Sequence, residues 1–197
     1  MNLQENILSK ILNTFYFFLF FFCISNQVFA YEKWVIDKDI SSVKFEVGVL
    51  FASNVEGEFK GIDGFVEIDL KEQINNKALI SVDVKSIDLN YKKYKNLILS
   101  DVFFDVDQFP IGVLDTKKFN YKNEEDFKLD IELTIKGTSK IIPVNLKVMN
   151  YSENLVQVIA ITSFSRNDFN IGTGQWSNTT ILKDKINLES NIFLVKE

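Results

Sequence analysis

A two-residue alternation of apolar and polar side chains sets the limits on this chain's architecture. It is clearest between Lys128 and Lys147, where Leu129, Ile131, Leu133 and Ile135 alternate with Asp130, Glu132, Thr134 and Lys136. On an extended strand that period gives one buried and one wet face. Gly137-Thr138-Ser139-Lys140 supplies a reversal, with glycine free to take positive φ. Val144, Leu146 and Val148 then resume the alternation, so the stretch reads as a hairpin.

The same pattern recurs on both sides of it. Trp34–Ile36 is a short first strand, and Val43, Phe45, Val47, Val49 and Phe51 form one face of a second. Val55–Lys60 follows, then a turn at Gly61-Ile62-Asp63-Gly64, then alternation from Phe65 to Leu70. Ala78, Ile80, Val82 and Val84 make another buried face, and Gly112–Tyr121 is a further strand. After it Lys122–Asp126 is a polar turn, and Val156–Arg166 and Lys185–Val195 close the chain. One helix is predicted, over about Asn90–Ser100: Tyr91, Tyr94, Leu97 and Ile98 share a stripe, with Asn90 as N-cap. About eight substantial strands with one short helix, and no strand-helix-strand rhythm, predict an all-β antiparallel barrel. A β-sandwich is the structural alternative.

Residues 1–30 read as a cleaved secretory signal. The apolar run Phe15–Ile24 has the length of an export core rather than the roughly 20 residues of a spanning helix. Polar Ser25-Asn26-Gln27 and small residues at Val28 and Ala30 place cleavage after Ala30, with an uncleaved anchor as the alternative. The mature domain is then residues 31–197, with no membrane span. The chain has no histidine, and its only cysteine, Cys23, lies in the signal. That removes histidine-based triads and Cys/His zinc sites from the mature domain, and no metal or cofactor is expected. A net charge of −5 without a basic patch argues against nucleic acid as a partner.

A set of short motifs resembles the YceI family. They are Trp34-Val-Ile-Asp37, Ser41-Ser-Val-Lys-Phe45, Val55-Glu-Gly-Glu-Phe59 and Gly61-Ile-Asp-Gly64, then Val84-Lys-Ser-Ile-Asp88, Phe103-Phe-Asp105 and Phe109-Pro110. Leu133-Thr-Ile-Lys-Gly137 with Lys140, Ser165-Arg-Asn-Asp-Phe169 and Ile171-Gly172 complete the series. The resemblance implies a lipocalin-like barrel in the bacterial periplasm that encloses a long amphiphile, a polyisoprenoid or a fatty-acid-like lipid. Family members are often dimeric, which makes a homodimer an option. The chain departs from the family where histidine is frequent, carrying Ile40, Val49 and Leu97 there. Leu89 stands for a usual threonine and Tyr94-Lys95 for an Arg-Asp pair. The departures remove polar contacts and keep an apolar lining.

Inward parity nominates Phe45, Val47, Val49, Val82, Val84, Ile131, Leu133 and Phe164 as lipid-lining residues, with Leu97 and Ile98 from the helix. Ordinary core packing explains each of them singly; the argument concerns the set. Arg166 either meets the amphiphile's polar end or, with Asp168, anchors the loop before Gly172-Thr-Gly-Gln-Trp176. Glu56/Glu58 and Glu124-Glu125-Asp126 read as solvated surface, and Gly172-Thr-Gly174 lacks the rest of a phosphate loop. The sequence offers no inward nucleophile or acid/base pair, so it is read as a binding protein and not an enzyme. A ligand-free structural or stress-related envelope protein and a lipid-modifying enzyme remain the alternatives.

Overall fold

The computed structural model describes residues 31–122 and 124–197. The expected signal segment, with Cys23 and the cleavage point after Ala30, lies outside the described residues. Eleven strands form one antiparallel sheet: β1 (Tyr31–Ile36), β2 (Ser42–Val49), β3 (Val55–Phe59), β4 (Ile62–Asp69), β5 (Lys77–Asp83), β6 (Ile87–Leu89), β7 (Ile111–Asp115), β8 (Asp126–Ile135), β9 (Thr138–Ser152), β10 (Leu155–Ser165) and β11 (Leu182–Lys196). Their order is β1-β4-β5-β7-β8-β9-β10-β11, and β11 pairs back onto β1, closing a ring of eight. That closure gives the expected barrel and sets aside the sandwich.

The remaining three strands explain why eleven segments make an eight-stranded wall. Along one edge of β11, β1 pairs with residues 194–196 and β2 with residues 182–191. β1 and β2 are therefore two halves of one kinked wall position. β4 and β3 repeat this one place over, and β5 and β6 the next. Phe193 faces the first kink. Its carbonyl accepts from Asp37 N at 2.9 Å, and its N–H donates to the buried Ser41 Oγ at 2.9 Å.

β6 has no strand on its outer side, and residues 90–110 fill the space between it and β7. They hold one short helix, α1 (Lys95–Leu99), entered through a 3-10 turn at Lys92–Tyr94. Lys95 Nζ donates to Ile87 O on the open edge of β6 at 2.6 Å. Asn90 does not cap the helix. Its side-chain oxygen accepts from Glu56 N at 3.1 Å, and its amide donates to Asn54 O at 3.0 Å, which pins the start of β3.

Three boundaries differ from the sequence reading, each for a local reason. The hairpin turns at Lys136-Gly137, with φ of 49° and 70°, one pair earlier than expected. Two positive φ values match the strand twist, so Thr138 and Ser139 already belong to β9. Gly61–Gly64 is not a free turn, because β4 begins at Ile62, which is buried opposite Val82. β7 stops at Asp115, whose carboxylate accepts the Lys117 N–H at 2.6 Å and turns the chain at a Lys117 φ of 55°.

Candidate functional site

Strand register decides which side chains share the inner face. Phe45, Val47 and Val49 of β2 lie opposite Leu188, Ile186 and Leu182 of β11, and Ile186 lies opposite Phe164 of β10. Across the barrel, Ile131 faces Ile142 and Leu133 faces Leu114. These residues pack into one apolar cluster together with Phe103, Phe169 and Ile171. A second cluster holds Ile36, Val43, Phe59, Ile62, Val84, Ile87 and Leu89, with Val82 packed against it. Phe45, Ile98, Phe104 and Leu188 touch both, which joins the two into one apolar run.

Of the residues nominated from sequence, Phe45, Val47, Val49, Ile131, Leu133, Phe164 and Leu97 thus meet in one cluster. Val82 and Val84 meet in the other, and Ile98 bridges them. Rings continue the run from the wall to residues 90–110, the lid: Phe45 and Phe59 centroids are 5.7 Å apart, and Phe59 meets Phe104 edge-on at 6.1 Å. Gly57 makes room for this, since a Cβ there would stand 2.3 Å from Phe45 Cε1.

The lid is tied down at three points. Val102 O accepts from Gly172 N and Thr173 N, both at 2.9 Å, and the Phe103 and Trp176 rings lie 5.7 Å apart. Lys136 Nζ, on the hairpin tip, donates to Asp101 O and to Asn170 O. Gly137 lies under the Phe109 ring, where a Cβ would be 2.7 Å from Cε1. Parity could not have nominated Val102, Phe103, Phe104, Phe169, Ile171 or Trp176, because they lie in non-repeating segments. The signals were the density of aromatic residues at 103–109 and the family-like motifs that include Phe103, Phe104, Phe169 and Ile171.

Arg166 stands apart from the other nominees. It is 1% exposed, and its guanidinium donates to Lys183 O, Ile171 O and Leu182 O at 3.0, 2.9 and 3.0 Å. Burial lowers its pKa from the ordinary value, opposed by the nearby Asp184 carboxylate. Its hydrogen bonds close the loop between β10 and β11 on itself. Asp168, the partner expected from sequence, is exposed and receives none of them.

The ionised groups with shifted pKa values lie outside both apolar clusters. Asp63 is lowered chiefly by the Lys38 hydrogen bond, Asp69 by the Glu72 and Lys71 N–H groups, and Asp115 by Lys117. A buried acid catalyst needs the opposite direction. No three His, Cys, Asp or Glu side chains among the described residues are grouped to hold a metal. A groove of about 860 Å³ is lined by Lys44, Glu46, Glu56, Glu58, Lys185 and Glu189 beside Phe45, Leu89, Ile161 and Leu188. Its mixed charge suits water better than an alkyl chain.

Comparison with known proteins places these features in context. The profile of the YceI-like domain matches residues 34–194. The protein named YceI from Salmonella newport strain SL254 is 26% identical over 126 residues, covering 62% of this chain and 64% of that protein. The chain therefore spans just under two thirds of the length of such relatives. Among solved structures, Burkholderia cenocepacia BcnA superposes with a TM-score of 0.72 at 23% identity, over 80% of this chain and 98% of that one. A polyisoprenoid-binding domain from Saccharophagus degradans, implicated in plant cell wall breakdown, gives 0.66 at 13% identity over 83% and 98%. The YceI protein of Campylobacter jejuni gives 0.64 at 23% identity over 76% and 89%.

Proposed function

The chain belongs to the YceI-like family, and on that footing we propose that it is a binding protein whose barrel encloses one long-chain amphiphile. The observation that carries this reading is the unbroken apolar run from Ile36 to Ile131 beneath the lid. Each buried methylene contributes about 0.8 kcal/mol, so ten carbons gross roughly 8 kcal/mol before the costs of association. Such a ligand needs no ion pair, which agrees with an inner face supplied by Phe45, Val47, Val49, Val82, Val84, Ile131, Leu133 and Phe164, and by Leu97 and Ile98 from the lid. The Saccharophagus degradans domain described as polyisoprenoid-binding supports the ligand class. Export to the periplasm through residues 1–30 belongs to the same reading, as does a role in carriage rather than catalysis. Arg166 acts as the anchor of the loop between β10 and β11.

Chain length is the test. For a series of fatty acids titrated calorimetrically, affinity rises about fourfold per added methylene until the barrel is filled. Affinity indifferent to chain length would sink the proposal. One observation favours a second reading, a ligand-free envelope protein: Phe164 and Phe169 pack edge-on at 5.1 Å, as in a barrel filled by its own side chains. That reading predicts no binding at any chain length.

A further inference from the structure

The end of the barrel where the β2–β3 turn, the β10–β11 loop and the lid lie, its mouth, carries a surface that ligand enclosure does not use. Residues 47–55 and 169–182 contain no charged side chain, in a chain with 27 acidic and 22 basic residues. The two stretches are neighbours: Val49 pairs with Leu182, and Leu50 N donates to Ile181 O at 2.8 Å. At their shared tip Phe51 is 97% exposed and Ile181 57% exposed. Phe51 has a φ of 57°, a left-handed backbone that a bulky residue seldom adopts. The turn thus holds an aromatic ring in water, where it packs on nothing.

Neutral hydrogen-bonding residues flank that tip along the chain, Ser53 on one side and Ser177, Asn178, Thr179 and Thr180 on the other, and Lys183 donates from its ammonium back to Thr180 O at 3.3 Å. Behind them Trp176 is half-buried against Phe103 of the lid. Aromatic and aliphatic tips among uncharged polar groups suit the boundary between lipid headgroups and acyl chains, where a charge is costly and an indole or phenyl ring is favoured. We propose that this tip rests on a lipid bilayer, with Phe51 and Ile181 inserted, the Lys183 ammonium at headgroup level and the mouth facing the membrane. The inference rests on the barrel being a lipid carrier. A long amphiphile scarcely dissolves in water, so its exchange is fastest where the mouth meets the bilayer that supplies or receives it. Two apolar side chains make the contact shallow and reversible.

The test uses the full chain with Trp34→Phe, so that Trp176 is the sole indole, and vesicles of brominated phosphatidylcholine. Trp176 emission is expected to be quenched. The partition coefficient is expected to fall about tenfold in Phe51→Ser and further in the double variant with Ile181→Ser, with little dependence on salt. Both side chains are exposed, so thermal unfolding stays within a degree or two of the parent. Absent quenching, partition unchanged by both substitutions, or partition abolished by salt would overturn the inference. So would sedimentation showing that Phe51→Ser instead dissolves a dimer. Organic extraction on the same proteins separates the two claims: bound amphiphile without vesicle docking removes this inference alone, and docking without amphiphile removes the carrier reading alone.

Discussion

Arg166 shows how far a residue's chemistry is set by what folds around it. A buried guanidinium needs most of its five N–H groups satisfied. Here the carbonyls of Ile171, Leu182 and Lys183 serve that need, and all three lie beyond it in the chain. The sequence placed Arg166 in a run that resembles a family motif but left open whether it met a ligand or a loop, since nothing in the run reveals that residues 171–183 wrap back over it. Arg166→Ala leaves those carbonyls without donors and is expected to cost about 3 kcal/mol in urea denaturation. Arg166→Lys recovers less than half of that, because one ammonium cannot reach all three acceptors. A loss below about 1 kcal/mol in the alanine variant would refute the anchor role.

At the scale of elements, alternation identified strands well and wall positions poorly. β8 and β11 were legible because apolar residues hold one parity along most of their length. The kinked pairs were not, since a break such as Asp37–Ser41 looks like an ordinary turn whether the chain reverses or continues beside the same neighbour. That distinction lies in β11, where Phe193 bridges the break. Ser41→Ala leaves the Phe193 N–H buried without an acceptor and is expected to destabilise the barrel by about 1–3 kcal/mol. Amide exchange at Phe193 should accelerate more than exchange at Ile159, in the middle of the wall. Uniform acceleration at both would show that Ser41 does not hold the kink.

The hairpin from Lys128 to Lys147 gained a second role at the same scale. Its apolar face was legible, because Leu129, Ile131 and Leu133 fall at spacing two. Its turn was not read as a docking point. Lys136 looked like a solvated charge beside a glycine, yet it reaches across to Asp101 O and Asn170 O, and Gly137 lies under Phe109. The hairpin tip therefore fastens the lid and the mouth loop together, a contact between segments more than 30 residues apart in sequence.

For the whole molecule, closure matters more than any single residue. β11 pairing with β1 closes a sheet with one apolar face into a continuous wall around that face. Parity along the strands nominated Phe45, Val47, Ile131 and Phe164, which meet in one apolar cluster. The lid was legible only at Leu97 and Ile98, since Val102, Phe103 and Phe104 join the cluster from a segment of turns without a repeat. The most direct test of a barrel that encloses a long amphiphile is native mass spectrometry of the protein as isolated from the cell envelope, beside the Ile131→Asp variant. The parent is predicted to carry a mass excess that organic extraction releases as a long-chain lipid, and the variant to carry none. A folded parent at the bare polypeptide mass would contradict it.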